Sequence, residues 1–523
     1  MKKKRIVSTL LALLLFAGLP VSALADTWDI SKGDIAVNAG SGGQTVTQGG
    51  GAAVEDSAPV ITGSSTENTL TIKAESGQTA NVTLSGANID VSGKGKAAVS
   101  TNGEGNVSIE LNGDNTLKSG KGHAGLEKKN GGKLTIADED KNGKLTAEGG
   151  KYGAGIGGGD QGAGSGITIT GGEIKATGGQ YGAGIGGGKG DGSDITISGG
   201  EVNATGGTSG AGIGGGYNGN GSDITITDGE VNATGGKYGA GIGGGEYGIG
   251  KDIIITGGEV NATGGRFSAG IGGGSRGTGS DITISGGEVN ASGGVNGAGI
   301  GGGLRSKGKD ITVSGDTKLK VQGGDEDHYD GAGAGIGDGG SRPKGSTGGS
   351  PIPGAEVGPD TSGLTTNGSI EYYAPGADME KDKPTSTTTG KPTEPGKPTE
   401  PTEPTEPGKP TEPIEPAVPE QPEAERGMDA PLYFITDRDG RAVRCRAERK
   451  GGVLTVTVDE DFAVLTSSLS GMTALRAQGI EKIIFVTNGA KTAVKLSTII
   501  SKLTANGVFR LTHDGKAVTF TLG

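Results

Sequence analysis

Cysteine is nearly absent: Cys445 stands alone in 523 residues. No internal disulfide can form, so stability must come from packing. Aromatic residues make up only 3%, too few to fill an ordinary globular core. Histidine is limited to His123, His328 and His513, too far apart in sequence to suggest a catalytic site, and no Ser/His/Asp or zinc-ligand spacing is present. No apolar run is long enough to cross a membrane. The one apolar stretch, Leu10 to Leu19, follows Lys2-Lys3-Lys4-Arg5 and precedes Ala23-Leu24-Ala25. That order predicts a secretion signal over residues 1–25 and a mature chain from Asp26. With no cysteine at the cleavage site, no sorting motif and no hydrophobic tail, export without a covalent anchor is expected. Positive charge is also in deficit, with 48 Lys and Arg against 60 Asp and Glu. An acidic body argues against nucleic-acid binding, which needs cations against phosphate.

Glycine, by contrast, supplies 114 residues. Glycine adds no side chain to a core and loses the most backbone entropy on folding. A stacked array escapes this difficulty, and the sequence repeats. Gly-Ala-Gly-Ile-Gly-Gly-Gly, or a near copy, centres on Ile156, Ile185, Ile213, Ile242, Ile271 and Ile300. Asp-Ile-Thr-Ile and its variants place an isoleucine at Ile195, Ile224, Ile253, Ile282 and Ile311. Glu-Val-Asn-Ala and its variants place an apolar residue at Ile174, Val202, Val231, Val260 and Val289. The intervals are 28 or 29 residues. A fixed period in this range marks stacked units, because one unit cannot bury its own apolar face. Each unit carries three short alternating segments, and alternation is the period of a half-buried strand. Three strands per turn, stacked in register, make an all-β parallel β-helix (a β-solenoid) with about 29 residues per coil.

The predicted layout has an irregular N-terminal segment or cap over 26–65 and the β-helix over 66–340. A Gly/Pro/Thr-rich linker covers 341–427, with a small C-terminal α+β domain over 428–523. Residues 391–413 read KPTEPGKPTEPTEPTEPGKPTEP, an extended, semi-rigid spacer. In the last domain, strands are expected at 432–436, 442–447, 453–458 and 483–487, and helices at 469–478 and 492–505. A further pair, 508–512 and 517–522, flanks Asp514-Gly515, a strong hairpin signal. This domain holds 13 Lys and Arg against 9 Asp and Glu.

In a β-helix each repeated residue becomes a row. Asn203, Asn232, Asn261 and Asn290 suit a ladder of stacked amides, with a ligand role as the alternative. Asp194, Asp223, Asp252, Asp281 and Asp310 suit capping of nearby backbone N–H groups. The sharper alternative is calcium, which favours oxygen ligands, although the spacing departs from the nine-residue calcium repeat. Glu173, Glu201, Glu230, Glu259 and Glu288 suit a solvated face. The paired Thr and Ser residues, such as Thr225/Thr227, suit outward strand positions, with an ice-binding face as a remote alternative. Tyr152, Tyr181, Tyr238 and Phe267 lie four residues before the central isoleucine, with Ser209 and Asn296 as gaps. Such a row could stack on sugar rings or cover glycine-rich corners. Tyr217 and Tyr247 follow the glycine runs nearby. The insert Asp325-Glu326-Asp327-His328-Tyr329-Asp330 reads as a solvated loop or a cation holder.

The stretch Leu111–Leu117, with Ala124-Gly125-Leu126, Lys133–Ile136, Lys144–Ala147 and the GAGIGGG units, resembles a family of secreted proteins of anaerobic Gram-positive bacteria. These are labelled carbohydrate-binding-domain proteins and have a parallel β-helix. The resemblance covers about residues 60–340. It implies the fold and carbohydrate binding, but no site residues. The expectation is therefore a non-enzymatic, extracellular protein, secreted or non-covalently held at the cell surface, that binds a glycan of envelope, mucus or plant origin. Tyr152, Tyr181, Tyr238 and Phe267 would form the contact stripe. No cofactor is required, unless calcium sits on the aspartate row. The basic C-terminal domain could hold the bacterial cell wall. A structural or adhesive surface protein binding protein partners is the alternative, and a polysaccharide lyase a remote one.

Overall fold

A computed structural model describes residues 26–342, 350–390, 434–436, 446–450, 452–458, 460–468, 472, 475–476, 480–500, 508–515 and 517–522. The expected secretion signal and the Pro-rich spacer at 391–413 lie outside them. The chain divides into two units, the first spanning most residues up to Thr388 and the second holding the C-terminal part.

The first unit is a β-solenoid with about 29 residues per coil and almost no helix. One coil shows how the sequence builds it. Ala211 and Ile213, Ile224 and Ile226, and Val231 and Ala233 all point inward and are buried. They define a glycine face, a threonine face and an asparagine face. Burying each isoleucine contributes roughly 1.5–3 kcal/mol, and the same positions recur in each coil. The threonine and asparagine strands join the larger sheet, and the glycine strands form the second. In Gly192–Thr205 and Gly221–Thr234 the threonine and asparagine segments run on as one bent strand, with register shifts at the corner. The glycine-face strand is only two residues long, as at Ile213–Gly214. Gly214 has φ +126°. A Cβ there would strike the carbonyl oxygen of Gly243 in the next coil, so only glycine fits.

The glycine-face register runs Leu126, Ile156, Ile185, Ile213, Ile242, Ile271, Ile300 and Ile336. It also extends backwards through Val99 and Leu70 to Ile35. Residues 26–65, expected to be irregular, are therefore part of the solenoid. Thr27–Asp29 pairs with Val60–Thr62, and Ile35–Gly40 pairs with Leu70–Ala74. Apolar alternation at Ile35, Val37 and Ala39 builds this strand without the glycine hallmark. Gly43–Gln48 then folds back antiparallel and blunts the N-terminal edge of the glycine-face sheet.

The C-terminal part of the array also departs from expectation. Within the span read as linker, Ser369–Tyr373 and Ser386–Thr389 add strands to the larger sheet, and Ile370 and Tyr373 are buried. The Glu356 carboxylate accepts the Gly335 and Ile336 backbone N–H groups at 2.6 and 3.0 Å. It thus occupies the donors that another coil would have used.

In the second unit, the described residues of the C-terminal region form two four-stranded sheets over a core that includes Leu454, Val456, Leu465, Phe485, Phe509 and Leu511. The Asp514-Gly515 hairpin forms as expected, with Asp514 paired to Ala517. Phe462–Ser468 is a strand that the sequence reading missed. The helix expected over 492–505 starts later, as Leu496–Ile500, because Lys491–Lys495 pairs antiparallel with Lys482–Val486. Of the helix expected over 469–478, Met472, Leu475 and Arg476 are described, and they are helical.

Candidate aromatic binding face

Two turns flank the short glycine strand, one before the isoleucine and one after it. Because that strand is so short, the two turns come together across neighbouring coils. The Tyr217 N–H, in the second turn of its coil, donates to the Tyr181 carbonyl, in the first turn of the preceding coil, at 2.8 Å. The same join recurs from Ser275 to Tyr238 at 2.9 Å and from Leu304 to Phe267 at 2.8 Å.

At Tyr181 and Tyr217 this backbone join brings the two sequence columns together, giving a run of four rings and, further along the first column, a separate pair. Tyr152 stacks on Tyr181 with centroids 5.3 Å apart and planes 14° apart. Tyr181 meets Tyr217 edge-on at 5.5 Å, and Tyr217 meets Tyr247 edge-on at 6.2 Å. Tyr238 stacks on Phe267 at 5.9 Å and 10°. The expected row therefore forms two stacked pairs, and Tyr217 and Tyr247 extend the first pair. Tyr247 is 47% exposed and the other five rings are half-buried.

Cations lie over these rings. Lys151 Nζ sits 5.3 Å from the Tyr152 centroid and 5.9 Å from that of Tyr181. Lys121 lies over Tyr152, Lys189 over Tyr217, Lys237 over Tyr238, Arg266 over Phe267 and Arg276 over Tyr247, all within 5.8 Å. The sequence reading missed them, although Lys151-Tyr152, Lys237-Tyr238 and Arg266-Phe267 carry a signal: a cation immediately before the ring.

Both gaps in the row have a structural account. Ser209 Oγ donates to Glu246 of the next coil at 2.7 Å, so a polar pair stands at the join where Tyr181 meets Tyr217 one coil earlier. Asn296 is fully buried, and its amide donates to the Asp330 and Gly331 carbonyls at 2.8 and 2.9 Å. The acidic insert thus seals the row at that end. It is not a fully solvated loop: Asp330 is 4% exposed and takes a bidentate pair from Arg305 at 2.7 Å.

The other rows separate cleanly. The asparagines form a directional ladder, each amide donating to the previous one: Asn232 to Asn203 at 3.1 Å, Asn261 to Asn232 at 2.9 Å and Asn290 to Asn261 at 2.7 Å. The glutamates stand in register on the solvent side. The Thr and Ser partners also face outward. The aspartates differ from expectation. Asp194, Asp223, Asp252, Asp281 and Asp310 have φ between +49° and +55°, and they cap no backbone N–H among the described residues. They occupy a left-handed bulge that ladder pairing skips, and Gly166, with φ +67°, fills the same place one coil before Asp194. Aspartate tolerates this conformation better than most side chains. Asp252 and Asp310 pair with Lys251 and Lys309 at 3.0 and 3.5 Å. Among the described residues no group of three His, Cys, Asp or Glu side chains is arranged to hold a metal.

Elsewhere, buried Glu127 binds His123 at 2.6 Å through one oxygen and Lys129 at 2.9 Å through the other. Both oxygens are engaged, so the pair fixes a turn. No helix among the described residues is long and apolar enough to cross a membrane.

Residues 141–160, 167–189, 195–217, 224–246, 253–275 and 282–304 match the family model described as a beta helix repeat. Residues 141–304 thus fold as a parallel β-helix of this repeat type. No curated protein and no solved structure matches the chain. The matched segments of the β-helix contain Tyr152, Tyr181, Tyr217, Tyr238 and Phe267, so the ring line is built on the repeat itself.

Proposed function

We propose that this β-helix is an exported, non-enzymatic protein that binds carbohydrate along its aromatic line. One observation carries the reading: five of the chain's nine tyrosines lie on this line, in a protein whose aromatic content is 3%. Partly exposed rings in a row offer apolar surface and ring edges against which sugar rings can pack. A repeated stripe lets several weak contacts act together along one polymer. The N-terminal sequence, read as a secretion signal, supports export to where such polymers lie. Neither a metal nor a cofactor enters this reading.

The test is a glycan array probed with the purified protein and with Y181A/Y238A. Retention of a defined set of glycans, lost in the variant with its fold intact, supports the reading. Absence of retention on any glycan overturns it in favour of an adhesive role toward protein partners. The basic C-terminal domain, residues 428–523, is proposed to hold the bacterial cell wall by charge, and wall binding insensitive to salt would contradict that.

A further inference from the structure

The charge on the aromatic line runs against the charge of the protein. The chain carries a formal −12, and its repeated Asp and Glu rows lie on other strands. The aromatic line instead gathers Lys121, Lys151, Lys189, Lys237, Arg266 and Arg276. Among the described residues none of these cations lies within 4.0 Å of a carboxylate, whereas Lys144, Lys251 and Lys309 are each paired with one. Acidic groups do occur in the same turns, at Asp160, Asp191 and Glu246. Of these, Asp191 accepts the Asn220 N–H and Glu246 accepts the Ser209 hydroxyl.

Lys121, Lys151, Lys237 and Arg266 occupy one column, five residues before Leu126, Ile156, Ile242 and Ile271 respectively. Coils stack about 4.8 Å apart, so the column offers two pairs of positive charges beside the rings, Lys121 with Lys151 and Lys237 with Arg266, separated by Gln180 and Thr208. A neutral sugar would use the rings alone and would leave the cations without an anionic partner. A polymer with a carboxylate or sulfate on each unit or on alternate units uses both, with its ring faces on tyrosine and its anions on Lys and Arg.

We infer that the ligand is an anionic polysaccharide, a polyuronate or sulfated glycan, held by the Lys/Arg–Tyr stripe. This inference depends on the carbohydrate reading above and narrows its ligand class. The experiment compares neutral and anionic glycans on one array, with the unsubstituted protein, K151Q/K237Q and K251Q/K309Q. The second double variant removes the same charge from the threonine side, so it separates local contact from net charge. Circular dichroism melting checks that all three share a fold. The expected result is retention of polyuronates or sulfated glycans over neutral ones, about tenfold weaker in K151Q/K237Q and unchanged in K251Q/K309Q. High salt should weaken retention in the same way. Retention of neutral glycans that K151Q/K237Q leaves unaltered overturns this inference and leaves the carbohydrate reading standing. Loss of equal size in both double variants also overturns it, because a general charge effect would then explain the binding. Retention of no glycan of either class overturns both.

Discussion

Tyr217 lies edge-on to Tyr181, with centroids 5.5 Å apart, and its backbone N–H donates to the Tyr181 carbonyl at 2.8 Å. The ring contact is thus set by the coil-to-coil ladder and not by side-chain rotamers alone. Tyr181 also stacks on Tyr152. Replacing it with alanine removes two ring pairs, each contributing about 0.5–1.5 kcal/mol beyond area burial. Urea unfolding of Y181A should show a loss of about 1–3 kcal/mol, and T225A, on the outward threonine side, should show much less.

The asparagine ladder has a polarity that substitution can read. Asn261 donates to Asn232 and accepts from Asn290. In N261D the donor is lost and a carboxylate faces the Asn232 oxygen. The expected cost is about 1–3 kcal/mol. Asn290 stands at the end of the ladder with Oδ1 unpartnered, and its register partner in the next coil is Lys320. N290D should therefore be the milder change, a ranking that thermal melts of the two variants measure.

The aspartate column makes a backbone prediction. At Asp281, with φ +55°, asparagine and glycine should be tolerated. D281V should cost about 1–2 kcal/mol, the usual penalty for an ordinary side chain held left-handed. Melting temperatures with calcium or with a chelator should coincide, since conformation accounts for the residue.

The sequence discloses the coil because the inward positions recur: Ile156 and its successors could be stacked by counting alone. The aspartate bulge was not legible, since φ leaves no trace beyond the residue types that tolerate it, and Asp also caps. The meeting of Tyr181 with Tyr217 was only half legible. Their positions are visible, but joining the two columns requires knowing that the glycine strand is two residues long. Residues 26–65 and Ser369–Tyr373 were misread because they lack the repeat's glycines while keeping its alternation.

His513 gives the C-terminal unit a pH dependence. It is 0% exposed, between the Thr487 and Thr492 hydroxyls at 3.1 and 2.9 Å. Burial pushes its pKa below the ordinary 6.5. The unfolded chain therefore takes up this proton before the folded one does. Stability from this group is full above about pH 6.5, declines as pH falls below it, and levels off beneath the depressed folded value. Denaturant midpoints of the unsubstituted protein should fall from pH 7 to pH 5 by more than those of H513Q.

The central claim is that the ring line is the binding face. Calorimetric titration of a polysaccharide retained on the array tests it most directly, comparing the unsubstituted protein with Y181A/Y217A and with T225A/T283A on another face. The account predicts at least about a fivefold loss of affinity in the tyrosine variant, since each of two stacking contacts contributes about 0.5–1.5 kcal/mol, and no change in the threonine variant. Equal affinity in all three proteins would contradict it.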